Sequence, residues 1–411
     1  VNSYRYRVEL AAWTQWLLAA CCLLVAWPAW AQPAKEWKVI EPERVQFPNR
    51  MTVLKRGTFD SEAERDLFVR YYTKFAFPRL TEPDFRSRQP WNPASTQTDK
   101  SDKGKDVVRE IHNDLGMAAA APAPDVHGKL CEITLAYMGK LAAGADIHPA
   151  ARFNAMLLLG DVGTPEAVPM LVEVVKDSKQ LDAVKVAAMA GLLRHAEQGG
   201  ISDADLQKLT IDTMVALAVA PLPKDQRADA VCWLRGQAAE VLGRLGSPGR
   251  DNSVVAALLK MVGDPALGLS QRCRAARALG QLTYAAPAPA AGPCLEALAV
   301  LADDALTAEK QDPPDCRRWT EANVARERWG CRLKANLSDI LVGLRGADDQ
   351  HRGLTELAKP GAEQQLAETL QKTLTPLDDS LNDQKLTRAA LIENVTKAQG
   401  DLEGVVKRPP K

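Results

Sequence analysis

Aromatic residues make up only 5% of this 411-residue chain, and formal charge cancels, with Lys+Arg 52 against Asp+Glu 52. The cancellation leaves no net field, which argues against a nucleic-acid binder that relies on phosphate neutralisation and against a general attraction to anionic membranes. Histidine is scarce too. His112, His127, His148, His195 and His351 stand apart, with no H-x-x-x-H, no H-E-x-x-H and no nearby cysteine pair, so zinc-ligand spacing is missing. C-x-x-C-H, G-x-S-x-G and Walker loops are absent as well, and the turn from Gly160 to Gly163 follows a helical pattern, where a dinucleotide fingerprint would follow a strand. No catalytic residue, metal ligand or cofactor site is expected on these grounds.

What the chain does have is alanine, in quantity, which with few aromatics favours helices that approach closely. Its one long uncharged run is Leu10 to Ala34, preceded by Arg5 and Arg7 and broken by Pro28 before the A-x-A pattern Ala29-Trp30-Ala31. This reads as a signal peptide over 1–31, cleaved between Ala31 and Gln32. Two alternatives stay open: the run is long enough to span a bilayer if uncut, and Leu18-Ala19-Ala20-Cys21 resembles the lipobox of bacterial lipoproteins. Contact with a membrane is expected only in those two cases; otherwise the chain is exported to the periplasm or cell surface.

Six cysteines follow that segment: Cys131, Cys232, Cys273, Cys294, Cys316 and Cys331. An even number in an exported chain permits disulfides. If Cys273 and Cys294 begin consecutive antiparallel helices they lie at opposite ends and cannot meet, whereas Cys273 and Cys316 lie near one end of adjacent hairpins. Six small thiols packed as alanine would be is the other reading.

A short word recurs in the middle of the chain: Arg152, Ala155, Leu159, Gly160; Arg235, Ala238, Leu242, Gly243; Arg272, Ala275, Leu279, Gly280. Lys185, Ala188 and Leu192 keep the frame without the closing glycine, and Arg332 with Ala335 keeps its start. The offsets of 33, 50, 37 and 60 residues are those of paired-helix repeats with insertions. Apolar spacing supplies the preceding helix of each pair, as in Val168, Leu171, Val172 and Val175 after Thr164-Pro165. The expected fold is all-α, an α-solenoid of antiparallel helix hairpins over 125–345, with an irregular N-terminal arm.

Either side of the array the composition changes. Residues 32–124 read as an extended arm with a short strand at Met51–Leu54, a helix opened by a Ser61/Glu64 capping box, a polar linker over 81–105 and a short helix from Asp106. Leu67, Phe68, Tyr71 and Phe75 give the first helix an aromatic face that docks on the first hairpin as a cap. Residues 346–411 carry two leucine-rich stripes and read as a terminal helical hairpin closing the stack, with self-association as the alternative.

With those residues in view, the middle of the chain resembles the HEAT-repeat superfamily, in particular the short HEAT-like repeats of phycobilin lyases. The likeness rests on Ala167-Val168-Pro169-Met170-Leu171 and on the Arg, Ala, Leu-Gly frame, and covers about 125 to 345. It implies that second helices line a concave side, and that the basic position pairs with an aspartate just upstream: Asp146 for Arg152, Asp229 for Arg235, Asp264 for Arg272. It also implies a scaffold for another protein, with a tetrapyrrole lyase as the rival. The expected contact patch is Arg317, Arg318, Trp319, Arg326, Arg328 and Trp329, since arginine with tryptophan is the composition of interface anchors. A solvated helix face, with Trp329 packed on the next hairpin, is the alternative. Arg152, Lys185, Arg235, Arg272 and Arg332 are expected to be structural.

Overall fold

The computed structural model describes residues 36–82, 107–221, 228–284, 291–314, 318–319, 325–326, 329–348, 351–383 and 385–406. The fold is all-α and of the α-solenoid type, built of antiparallel helix hairpins behind an irregular N-terminal arm. It divides into two compact units, Val1–Gly200 and Ile201–Lys411. Its one sheet, among the described residues, is a ribbon of two-residue strands. The expected cleavage site at Ala31 and Gln32, and Cys21, lie outside the described residues. Within those residues no helix is long and apolar enough to cross a membrane.

In the first unit the arm runs without regular structure from residue 36. Lys38 N–H donates to the Asp146 carbonyl (3.0 Å), Ile40 N–H to Thr81 Oγ1 (2.8 Å) and Glu43 N–H to the Lys74 carbonyl (2.8 Å). Met51–Leu54, expected as a strand, lies instead in helix α1 (Arg50–Arg56). The reason is at its end. Gly57 takes φ 80°, a left-handed cap that bonds back to the Val53 carbonyl and lets the 121–123 turn close in; a Cβ there would stand 2.2 Å from the Ala123 carbonyl oxygen. Helix α2 (Glu62–Arg70) begins as expected, with Ser61 Oγ accepting from Glu64 N–H at 3.2 Å. It then widens into a π turn over Tyr71–Ala76 and ends in a 3-10 turn, Pro78–Thr81. The π turn leaves both Tyr71 and Tyr72 buried. The expected aromatic face packs on the arm, Phe68 and Tyr71 against Phe47, and it is Phe77, beyond that face, whose ring meets Tyr137 of the first hairpin at a tilt, 5.2 Å between centroids.

Helix α3 (Val107–Ala119) precedes two hairpins: α4 (Asp125–Ala143) with α5 (Pro149–Asp161), and α6 (Ala167–Lys176) with α7 (Asp182–Glu197). Thr164 and Pro165 form the turn before α6, two residues ahead of its first turn. The recurring word explains how α5 meets α7. Ala155, Leu159, Ala188 and Leu192 are wholly buried, and a Cβ on Gly160 would stand 2.6 Å from the Gly191 Cα. Two glycines therefore let these backbones touch; the second word keeps its glycine after all, one residue before its leucine.

The second unit repeats the plan. Its hairpins are α8 (Ala204–Val219) with α9 (Ala228–Leu245), α10 (Ser253–Val262) with α11 (Leu269–Leu279), and α12 (Ala291–Gln311) with α13 (Cys331–Arg345). Asp203 caps α8, accepting from Asp205 and Leu206 N–H, and Gly268 stands at the N-cap of α11. A Cβ on Gly243 would press on Ala278, and one on Gly280 would strike the Val342 carbonyl. Second helices thus pack edge to edge through small residues, α9 on α11 on α13. The fifth word fails after its base: Ala335 is exposed, while Leu333 and Leu337 take the buried positions. After a one-turn helix α14 (Leu354–Leu357), α15 (Ala362–Ser380) and α16 (Arg388–Leu402) form the terminal hairpin. Leu370, Leu374, Leu391 and Val395 are buried against α12 and α13, so both stripes are consumed within this unit.

Candidate functional site

The repeated arginine is tied down from two sides. Nε of Arg152 donates to the Ala142 carbonyl (3.0 Å), that of Arg235 to Ala218 (2.8 Å) and that of Arg272 to Val262 (2.8 Å). Each acceptor is a carbonyl left over at the C-terminus of the first helix of the same hairpin. The outer guanidinium nitrogens reach the next hairpin: Arg152 to Gln180, Arg235 to Asp264 (3.0 Å), Arg272 to Asp304 (2.9 Å). This corrects the upstream pairing that the family likeness implied. Asp264 serves the arginine of the preceding word, and Asp146 faces Lys38 at 3.6 Å. Lys185, half-buried on α7, makes no ion pair among the described residues; an ammonium lacks the rigid, planar fork with which a guanidinium holds two separate acceptors. Arg332 bonds the buried Glu309 (2.9 Å) and the carbonyls of Ala308 and Asp312. Arg152, Arg235 and Arg272 thus join the two helices of a hairpin and one hairpin to the next, while Arg332 ties α13 to the end of α12.

The expected contact patch falls in the connection between α12 and α13. Helix α13 begins only at Cys331; before it, β1 (Arg318–Trp319) pairs antiparallel with β2 (Ala325–Arg326), Arg318 opposite Arg326. Arg317 and Arg328 lie outside the described residues, as do the side chains of Arg318, Trp319 and Arg326. Trp329 is half-buried beneath the Arg388 guanidinium, 5.9 Å from the ring centroid, so it packs on the terminal hairpin. Cys273 is a free, buried thiol, which overturns the Cys273–Cys316 pairing. It sits inside the α9–α11–α13 packing, where burial pushes its pKa well up. Cys331 at the start of α13 is disulfide-bonded instead; Cys316 lies outside the described residues.

Three arrangements in the first unit carried no sequence signal, because their members are far apart in the chain. In the first, Arg50 Nη1 bonds Tyr71 Oη (2.9 Å), Asp114 Oδ2 (3.1 Å) and Glu110; Tyr72 Oη donates to Asp114 (2.7 Å), and Arg79 reaches Glu110 (3.1 Å). Burial pushes Asp114 up to about 6 against the pull of Arg50. Glu110 is desolvated too, yet Arg50 and the Tyr71 hydroxyl hold it below the ordinary carboxylate range. In the second, the buried Asp161 lies between Arg194 and His112 Nδ1 (2.9 Å). Burial and the Arg194 charge push His112 down to about 4. Beside it Cys131 Sγ stands 3.4 Å from His127 Nε2 and donates to the Val162 carbonyl. Burial lifts that thiol to about 11, so it is protonated at neutral pH and lacks a nucleophile's charge.

The third is a cleft of about 570 Å³ between the arm, the π turn and α4. Ile133, Tyr137, Leu141 and Ile147 form its floor. No group of three or more metal-ligating side chains occurs among the described residues.

A family model described as PBS lyase HEAT-like repeat matches residues 151–177, the stretch from the first turn of α5 through the end of α6. No curated protein matches the chain. The match covers the Arg152 word and the apolar helix that follows it, and the same word in α9 and α11 holds equivalent contacts. The chain thus carries a HEAT-like repeat, and the stacked hairpins of each unit are the architecture that such repeats build.

Proposed function

We propose that this chain is an exported HEAT-like scaffold that binds another protein in the cell envelope, with the insertion at 312–330 as its contact element. The carrying observation is the length of that connection. Helices paired in a hairpin are usually joined by about 2–8 residues, yet α12 and α13 are separated by nineteen, which include a β-ribbon and a run rich in arginine and tryptophan. The insertion is pinned where it rejoins the stack by Trp329 under Arg388, and Cys331, the next residue but one, is disulfide-bonded. Pinning lowers the ordering entropy that a contact element gives up on binding, and a disulfide suits an oxidising compartment. The repeated arginines are occupied in stacking, which favours a structural duty for the repeat and recognition by what is inserted into it.

Crosslinking with mass spectrometry in the native cell, with wild type against Arg326→Glu/Arg328→Glu, tests this reading. Loss of the crosslinked partner in the variant is expected; an unchanged set of partners would refute the contact element. Fractionation of the same cells checks the compartment, and recovery of the wild type in the cytosol would overturn export.

A further inference from the structure

The cleft in the first unit has the build of a peptide site. Its floor is apolar and mostly buried, formed by one face of α4 and by Ile147, and the extended arm forms one wall. The rim carries both signs of charge, and most of that charge is matched locally: Lys38 faces Asp146 at 3.6 Å, and Glu43 is held by Arg70 (3.2 Å) and Lys74 (3.5 Å). Two rim groups remain, the exposed Lys140 and Glu41, neither with an ion-pair partner among the described residues. The Tyr137 hydroxyl, one turn from Lys140 on α4, has no hydrogen-bond partner there either.

Each feature narrows the ligand. An apolar floor of this size takes a few side chains, and clefts of roughly 300–1,000 Å³ are the usual range for specific ligands. A lone anion would meet Glu41 as well as Lys140, and a purely aliphatic ligand would leave both charges and the hydroxyl unused. An extended chain uses all three, since alternate side chains point down and the rest reach the rim. From the cleft we infer that the first unit captures an extended peptide segment of a partner protein. Its apolar side chains lie on Ala136 and Tyr137, an acidic residue meets Lys140 and a basic one meets Glu41. The cleft belongs to the first unit and the insertion at 312–330 to the second.

Selection of phage-displayed random heptapeptides on the full chain provides the test, followed by fluorescence anisotropy of the enriched peptides. The expected outcome is enrichment of sequences with two or three apolar residues flanked by one acidic and one basic residue. Lys140→Glu should weaken them about three- to fivefold, the scale of an exposed ion pair, and replacing the peptide's acidic residue with lysine should restore the affinity. Ala136→Arg fills the cleft from an exposed helical position and should abolish binding without a change in melting temperature. Absence of enrichment, or enriched peptides that bind Ala136→Arg as well as wild type, would overturn the inference. So would enrichment only after deletion of residues 83–106, which would make that segment the occupant, or saturable binding of decanoate with no peptide selected. Arg326→Glu/Arg328→Glu should bind the peptides as wild type does, which separates this site from the insertion.

Discussion

Arg235→Ala isolates what the recurring base does. The side chain is 3% exposed and makes two bonds, to the Ala218 carbonyl at 2.8 Å and to Asp264 at 3.0 Å. Breaking a buried ion pair by removing one partner costs about 3–5 kcal/mol. Asp264 is 22% exposed and regains some water, which brings the figure down to about 3 kcal/mol. In a unit of this size that is a fall in melting temperature of about 6–12 °C. Arg235→Lys keeps the charge but reaches only one acceptor and should lose about half as much. Lys208→Ala, at an exposed i,i+4 pair with Asp212, should lose under about 0.5 kcal/mol. Urea unfolding followed by circular dichroism gives the stabilities, and hydrogen exchange across 262–270 reports the local turn. A loss below about 1 kcal/mol for Arg235→Ala would refute the stacking role, and so would weaker partner binding with melting unchanged.

The glycines offer a test of sign. Gly128 is exposed with nothing near its missing Cβ, so Gly128→Ala should stabilise by about 0.5–1 kcal/mol; Gly160→Ala should destabilise by about 1–3 kcal/mol, because a Cβ there meets the Gly191 backbone. Thermal melts of the two variants decide it, and equal signs would contradict the close approach of α5 and α7. His112 and Asp114 should act oppositely as pH falls. The His112 pKa is depressed from 6.5 to about 4, so the unfolded chain binds the extra proton and stability is lost from pH 6.5 down to 4; that of Asp114 is raised from 3.8 to about 6, so the folded state binds it first and stability is gained from pH 6 down to 3.8. Denaturant midpoints between pH 4 and 7 should therefore tilt upward toward acid in His112→Gln relative to wild type, and downward in Asp114→Asn. Alkylation of the unfolded, unreduced protein should label Cys131, Cys232, Cys273 and Cys294 and spare Cys331, which reacts only after reduction; mass spectrometry of peptides reads this directly.

Much of the fold was legible because helical hairpins are local. Apolar spacing located α4 to α13 within a few residues, and the Ser61/Glu64 box marked the start of α2. Where the reading failed, the deciding contact was distant. Met51–Leu54 has strand-like residues, but a left-handed Gly57 pressed against the Ala123 carbonyl ends a helix there. The Cys273–Cys316 pairing assumed that helix ends alone fix reach, whereas Cys273 is enclosed by its packing neighbours. The His112–Asp161–Arg194 and Arg50–Glu110–Asp114 groups unite residues from several helices, and no spacing announces such a meeting.

By itself the sequence determined that this chain is a run of amphipathic helices joined in pairs, because a periodicity of apolar, small and basic residues needs only neighbours along the chain to be recognised. Tertiary structure alone decided which acceptor each arginine takes, which glycines touch and where a cleft stays open. Those outcomes depend on how one hairpin is set against the next, and a guanidinium that could satisfy either of two aspartates is committed only when the helices close around it.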